Sequence, residues 1–91
     1  MTKIDLVNKI SEQAGLKKPE AETAVETIIS LVKDSLGNGE SVILRRFGSF
    51  QVRHKNARIG RNPKTGEEAD ITARNVVRFK AGKYFKTAIN H

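Results

Sequence analysis

The 91-residue sequence contains no cysteine and no tryptophan, and aromatic residues make up only 5% of it. Without cysteine the chain can form no disulfide and no thiolate zinc site, and it has no cysteine nucleophile. A domain this short with 37% hydrophobic residues has little material for an independent core. Association with a second copy is the remaining route to a complete core, so we expect an oligomer.

The sequence also lacks a long apolar run. Polar and apolar residues alternate over residues 3–9, so neither a secretory signal peptide nor a membrane-spanning helix is expected. We therefore expect an unexported protein without a membrane partner.

Acidic residues are scarce in the second half of the chain. Residues 1–40 hold five lysines against seven acids, a net charge of −2, whereas residues 41–91 hold twelve basic residues against three acids, a net charge of +9. All seven arginines lie in that second half. A solvated basic surface could be built from lysine alone, whereas the planar guanidinium of arginine suits phosphates and base edges. This asymmetry predicts a polyanionic partner.

Two helices are predicted in the N-terminal part. Thr2 and Asp5 resemble a capping box, and the helical period of the apolar residues predicts a first helix over about 3–14. Pro19 suits the first turn of a second helix, whose apolar stripe extends to just before Gly37. These two helices are expected to form an antiparallel hairpin.

After Gly37 the apolar period changes from that of a helix to that of a strand. Two strands are predicted around a tight connection before Gly48, and the apolar face ends from Arg53 onward. The segment 63–66 has turn chemistry, so the chain is expected to return as a two-stranded ribbon that projects from the body. The prediction is an α+β fold in one domain, 1–91, with a helical dimerisation part (1–40), a three-stranded antiparallel sheet (41–81) extended into an arm (about 53–74), and a short C-terminal helix (82–91).

The arm is predicted to carry the function. It contains five basic residues and no acid between its start and its turn, namely Arg53, Lys55, Arg58, Arg61 and Lys64. Strand alternation puts basic residues on both faces of such a ribbon, which can then follow a phosphate backbone. Two strands lie ~4.8 Å apart and the DNA minor groove is only ~6 Å wide, so the groove must open and the duplex must bend. Pro63, flanked by Arg61 and Asn62, is positioned to insert between base pairs, although a proline considered on its own here is more often an ordinary turn residue.

An enzyme is poorly supported by the sequence. The two histidines, His54 and His91, have no nucleophile or acid at a spacing that predicts a relay. The segment 60–66 lacks the spacing of a phosphate-binding loop. The acids Glu67, Glu68 and Asp70 are interpreted as cross-strand partners of Arg53, Lys55 and Arg58 and not as a metal site.

An RNA-binding protein is the other alternative. The five aromatic residues, Phe47, Phe50, Phe79, Tyr84 and Phe85, are all interpreted as residues of the body. The arm then has no aromatic side chain on which unpaired bases could stack, which favours a duplex as the target.

Three segments occur in a fixed order along the chain: FGSF at 47–50, GRNPKTGE at 60–67 and FKAGK at 79–83. Together they closely resemble the HU/IHF family of bacterial histone-like DNA-binding proteins, and the resemblance extends over essentially the whole chain. It implies an intertwined dimer with a helical base and two β-ribbon arms that embrace double-stranded DNA through the minor groove. It also implies a cytoplasmic, nucleoid-associated protein with no cofactor and no small-molecule substrate.

The resemblance also implies roles for individual residues. Pro63 becomes the wedge at a base step, and Arg58, Arg61 and Asn62 become the minor-groove residues near it. The residues expected to contact the DNA backbone are Arg53, Lys55, Lys64, Arg74, Arg78, Lys80, Lys83 and Lys86, with Lys3 as a further candidate. Phe47, Phe50 and Phe79 match the dimer core of the family.

Two positions depart from the family pattern. Arg46 stands where the family usually has glycine, which leaves the geometry of that turn open, and Tyr84-Phe85 is bulkier than the usual small-plus-leucine pair. The segment 71–77 looks more like the integration host factor branch, whose members bind particular sites as heterodimers. The sequence ends at His91 without a tail, which looks more like HU. We expect an HU-like homodimer that binds DNA largely without sequence preference, with a site-specific integration host factor-like subunit as the alternative.

Overall fold

A computed structural model describes residues 1–90; His91, which belongs to the predicted C-terminal segment, lies outside the described residues. The described part is an α+β fold, as predicted. Its elements in chain order are α1 (Lys3–Ala14), α2 (Lys18–Gly37), β1 (Val42–Leu44), β2 (Gly48–Lys55), β3 (Arg58–Arg61), β4 (Glu68–Ile71), β5 (Arg74–Ala81) and α3 (Lys83–Ile89).

The two N-terminal helices begin and end where the sequence predicts. The backbone N–H of Thr2 donates to the carboxylate of Asp5 at 2.9 Å, and the N–H of Asp5 donates to the Thr2 hydroxyl, which confirms the capping box. Pro19 lies in the first turn of α2, where its missing N–H costs no helical hydrogen bond. Within residues 1–90 only Ala21 and Val25, both on α2, are buried.

The predicted three-stranded antiparallel sheet is present, with strand order β1-β2-β5. β2 pairs with β5 from Gly48 opposite Ala81 to Lys55 opposite Arg74. The arm is a separate two-stranded ladder of β3 and β4. The chain therefore passes from β2 of the sheet into the arm and returns from the arm into β5.

The ladder between sheet and arm is interrupted, whereas the sequence predicts one continuous ribbon. Residues 56–57 and 72–73 belong to no strand, yet the pairing resumes in the same register, with Arg58 opposite Ile71. The sequences of the two gaps are Asn-Ala and Thr-Ala, and asparagine and alanine are depleted in strands. The arm is thus joined to the body by two short unpaired segments without a slip in register.

Four phenylalanines form the aromatic part of the core. The ring centroid of Phe79 lies 4.9 Å from that of Phe50 and 5.2 Å from that of Phe47, and Phe85 stacks on Phe47 at 5.0 Å. Gly48 allows this packing, because a Cβ there would lie 2.6 Å from the Phe79 ring and 2.5 Å from the carbonyl oxygen of Lys80.

One protomer does not complete this core. Phe47 and Phe79 remain 42% and 39% exposed, and apolar residues of α2 such as Ile28 and Leu31 are also exposed. The radius of gyration over Cα atoms is 18.6 Å, against about 12 Å for a compact chain of this length. The protomer is an extended body with a large uncovered apolar surface.

Candidate nucleic-acid interface

The pairing of β2 with β5 gathers five cations on one side of the sheet. Ser49 lies opposite Lys80, Gln51 opposite Arg78, Arg53 opposite Val76 and Lys55 opposite Arg74. Because successive side chains alternate between faces and paired residues share a face, these cations point to the same side. We call this set the basic face: Arg53, Lys55, Arg74, Arg78 and Lys80.

The opposite face of the same two strands is apolar except at its arm end, where His54 pairs with Asn75. Phe50 pairs with Phe79 and Val52 pairs with Val77. The sheet therefore separates an aromatic side from a basic side. Strand alternation puts the cations of each strand on one face of that strand, but only the register of β2 against β5 shows that the two sets share a side. Arg74, Arg78 and Lys80 were expected at DNA only because of the family resemblance.

The arm carries its cations differently from the sheet. Arg58 and Arg61 are three residues apart in β3 and so lie on opposite faces, whereas Arg53 and Lys55 in β2 share one face. The expectation of basic residues on both faces thus fits the arm but not the sheet. Exposure is common to the whole predicted set: all twelve predicted DNA-binding residues are exposed in the protomer.

One ion pair crosses the arm. The guanidinium of Arg61 donates to the carboxylate of Glu68 at 2.9 Å, and these residues are opposite each other in the β3–β4 ladder. The side chains are 69% and 56% exposed. An ion pair this exposed contributes about 0.2–1 kcal/mol at most, so it can exchange for a pair with phosphate.

The predicted partners of the three arm acids were wrong. Arg53 lies opposite Val76, Lys55 opposite Arg74 and Arg58 opposite Ile71. The error arose because the position of the return strand depends on the length of the turn, which places Glu68 opposite Arg61 and Asp70 opposite Ile59. The basic face consequently has no acid opposite its cations in the β2–β5 ladder.

The tip turn is closed by hydrogen bonds on both sides of Pro63. The N–H of Gly66 donates to the carbonyl of Asn62 at 2.7 Å, and the N–H of Lys64 donates to the Asn62 side-chain oxygen at 2.9 Å. Gly66 has φ +74°, which favours glycine. The exposed proline is therefore held at the end of a defined turn, and the side chain of Asn62 shapes this turn.

Three other predicted cations lie outside the strands. Lys83 and Lys86 are exposed residues of α3, three positions apart and so neighbours on the helix surface. Lys3 instead donates from Nζ to Glu26 at 2.9 Å, joining α1 to α2. This hydrogen bond and the negative charge of Glu26 raise the pKa of Lys3 above its ordinary value of 10.5.

The two positions that depart from the family pattern contact each other. Arg46 has φ +70° at the third residue of a turn closed by the N–H of Phe47 donating to the carbonyl of Leu44. Its guanidinium carbon lies 5.3 Å from the centroid of the Tyr84 ring, within the range of a cation–π contact. Sequence reasoning could not pair these residues, because they are 38 positions apart and belong to different elements.

A metal site and a membrane-spanning helix were also considered for the described part of the chain. Among residues 1–90 no group of three or more histidine, aspartate or glutamate side chains is arranged to hold a metal ion. In the same range no helix is both long and apolar enough to cross a membrane.

Comparison with known proteins gives a consistent result over nearly the full length. The sequence model of the family described as "Bacterial DNA-binding protein" matches residues 1–90. "DNA-binding protein HU" of Staphylococcus aureus (strain COL) is 51% identical over 89 residues, which cover 98% of this chain and 99% of that protein. "DNA-binding protein HRL18" of Rhizobium leguminosarum is 48% identical over 90 residues, covering 99% of each chain.

Solved structures agree with the sequence matches. The chain superposes on the HU of an Anabaena HU–DNA cocrystal structure with a TM-score of 0.88 and 37% identity, over 98% of this chain and 97% of that one. HU from Thermotoga maritima matches with a TM-score of 0.70 and 27% identity, over 98% of both chains.

Proposed function

Because the chain belongs to the family of bacterial DNA-binding proteins that includes HU, we propose that it is an architectural protein that binds and bends double-stranded DNA. The observation that carries this proposal is the sheet with one apolar and one basic side, whose basic face leads into an exposed arm. The Anabaena relative was crystallised with DNA, and the likeness of the two folds supports the same target here.

The basic face and the arm divide the work of binding. The basic face, Lys64, Lys83 and Lys86 neutralise phosphates, and the release of counterions supplies most of the affinity. Arg58, Arg61 and Asn62 enter the minor groove beside Pro63. A ribbon of two strands needs a widened groove, so binding favours sequences and lesions that make the duplex easy to deform.

Pro63 converts binding into bending. The ring is exposed at the end of a turn that its neighbours hold in place. A rigid apolar residue in this position can enter a base step and unstack it, and the resulting kink wraps more of the duplex against the protein.

A second copy of the chain completes the body. Phe47, Phe79 and apolar residues of α2 stay exposed in one protomer, and exposed apolar surface of this kind is typical of a protein–protein interface. Covering them in an identical subunit gives a homodimer with two arms, which can hold DNA from both sides. In the site-specific alternative, a related but non-identical subunit would cover the same surface.

The protein acts without catalysis, and we place its action in the cytoplasm at the nucleoid. Contacts to phosphates do not distinguish one base sequence from another, so the predicted binding is largely non-specific. Double-stranded RNA is a poorer target, because its minor groove is already wide and shallow. Single-stranded RNA is a poorer target, because the phenylalanines pack together in the body and the fifth aromatic, Tyr84, contacts Arg46. None of the five is in the arm to stack on bases.

Competition at one fixed salt concentration tests the proposal. The competitors are an intact duplex of random sequence, the same duplex with a nick, and double-stranded RNA of equal length. The account predicts the strongest binding to the nicked duplex, weaker binding to the intact duplex and the weakest binding to RNA. Equal affinity for all three would contradict it.

A further inference from the structure

A shallow groove lies at the end of the basic face that is farther from the arm. It has a volume of about 330 Å³ and is bordered by the β1–β2 turn and the end of β5. Its charged lining residues are Arg45, Arg46 and Lys80, and no acid lines it. Ser49, which is paired with Lys80 on the basic face, also lines the groove.

The groove therefore continues the basic face away from the arm. Lys55 and Arg74 mark the arm end of this face, and Ser49 and Lys80 mark the other end. A duplex that follows the basic face from the arm toward the body would next meet the two arginines of the β1–β2 turn. Neither arginine belongs to the predicted DNA-binding residues.

Arg46 is held there at a conformational cost. Its φ of +70° is the left-handed conformation, and within residues 1–90 it is the one residue other than glycine with a positive φ. Residues kept in such conformations occur frequently at functional positions. Its guanidinium lies 5.3 Å from the centroid of the exposed Tyr84 ring, which restricts the long side chain before any ligand arrives.

We propose that Arg46, positioned by Tyr84, is an additional phosphate-binding residue that engages the DNA flanking the bend. This inference rests on the proposed function and extends it to the outer part of the bound duplex. A guanidinium that stacks by its face leaves its N–H groups at the edge free to bind phosphate oxygens. Tyr84 acts as a positioning residue, because the ring limits the orientations of Arg46.

The distance between arm and groove makes the proposal testable by DNA length. The chain from Gly48 to Arg61 spans about 43 Å at ~3.3 Å per residue. At ~3.4 Å per base pair this corresponds to about 13 base pairs. A nicked duplex with flanks of about 20 base pairs therefore reaches the groove, whereas flanks of about 6 base pairs do not.

The test compares the unaltered protein with Arg46→Gly on nicked duplexes with long and short flanks. Glycine adopts a positive φ without strain, so this variant is expected to fold. On long flanks Arg46→Gly should reduce the slope of log affinity against log salt by about 0.9 per protomer. The ratio of affinities at about 50 and 200 mM salt then falls about 3.5-fold per protomer. On short flanks the variant and the unaltered protein should bind equally.

Three further variants separate charge from position. Lys9→Ala removes one positive charge from α1 and should leave the difference between long and short flanks unchanged. Tyr84→Phe keeps the ring and should behave as the unaltered protein. Tyr84→Leu keeps Arg46 without the ring, and it should lose part of the affinity on long flanks and none on short ones.

The outcomes distinguish this inference from the proposed function. If the unaltered protein fails to prefer nicked DNA on either flank length, the proposed function itself fails. If it binds as proposed but Arg46→Gly matches it on long flanks, only the inference is overturned. Equal losses on long and short flanks would also overturn it, because they would indicate a general charge effect.

Discussion

The guanidinium of Arg61 donates to the carboxylate of Glu68 at 2.9 Å across the arm, next to the tip turn. The arm thus holds part of its positive charge in an internal pair before DNA binds. Both side chains are more than half exposed, so exchange of the carboxylate for a phosphate costs little. The pair keeps the guanidinium near the tip without preventing it from binding DNA.

Removal of this carboxylate should strengthen DNA binding. In Glu68→Gln the guanidinium of Arg61 is no longer paired, and a negative charge near the phosphates is lost. An exposed pair is worth about 0.2–1 kcal/mol, which corresponds to an increase in affinity of up to about fivefold. Glu67→Gln is the matched control, because it changes the charge by the same amount at a neighbouring residue that forms no ion pair within residues 1–90. A larger gain in the control than in Glu68→Gln would refute a specific role for the pair.

Replacement of the tip proline should separate affinity from bending. Pro63 donates no hydrogen bond, and the tip turn is closed by its neighbours, so Pro63→Ala keeps the turn and the cations. Most of the affinity should remain, while the labelled ends of a duplex should lie farther apart by energy transfer than with the unaltered protein. Pro19→Ala, at the other proline of the chain, is the control and should bend DNA normally. Unchanged bending in Pro63→Ala would remove the wedge role.

Truncation of the central phenylalanine should weaken both folding and dimerisation. Phe79 contacts Phe47, Phe50 and Phe85 but is 39% exposed in one protomer. If a second subunit buries it, Phe79→Ala should lower the free energy of unfolding by about 3–5 kcal/mol. Sedimentation should also show more monomer at a given concentration. Ile59→Ala, at an exposed arm residue, should change neither quantity, and an unaltered sedimentation profile for Phe79→Ala would argue against the proposed dimer surface.

The pair between Lys3 and Glu26 should appear in the titration of Lys3. The hydrogen bond and the charge of Glu26 raise the pKa of Lys3 above 10.5 in the folded protein. A raised pKa stabilises the folded state fully below the unfolded value of 10.5, and this contribution disappears as the pH rises through the higher folded value. Glu26→Gln should return the Lys3 pKa measured by NMR toward its ordinary value. An identical pKa in both proteins would show that the pair does not persist in solution.

The sequence predicted the elements whose signals are local. The Thr2 capping box and Pro19 defined the starts of the helices, and the change of period after Gly37 marked the sheet. Side-chain alternation also predicts part of the basic face, because its cations are separated by even numbers of positions within each of the two strands and so share a face of that strand. The sequence did not predict that the cations of β2 and of β5 lie on the same side, because the register between these strands depends on the length of the arm and turn that join them.

Contacts between distant positions could not be predicted from local patterns. The interruption of the ladder at residues 56–57 does not shift the register, since Arg58 pairs with Ile71 as a continuous ribbon would require. The contact of Arg46 with Tyr84 depends on how α3 packs beside the β1–β2 turn. Both residues depart from the family pattern, but neither predicts a contact with the other in the sequence.

The central claim is that this protein bends the DNA it binds, and the end-to-end distance of a labelled duplex tests it most directly. A linear duplex carrying a donor and an acceptor at its ends is titrated with the protein at low salt until binding is saturated, and then salt is added. The account predicts that energy transfer rises on binding and returns to the value of free DNA as salt releases the protein. Saturated binding with no change in energy transfer would contradict it.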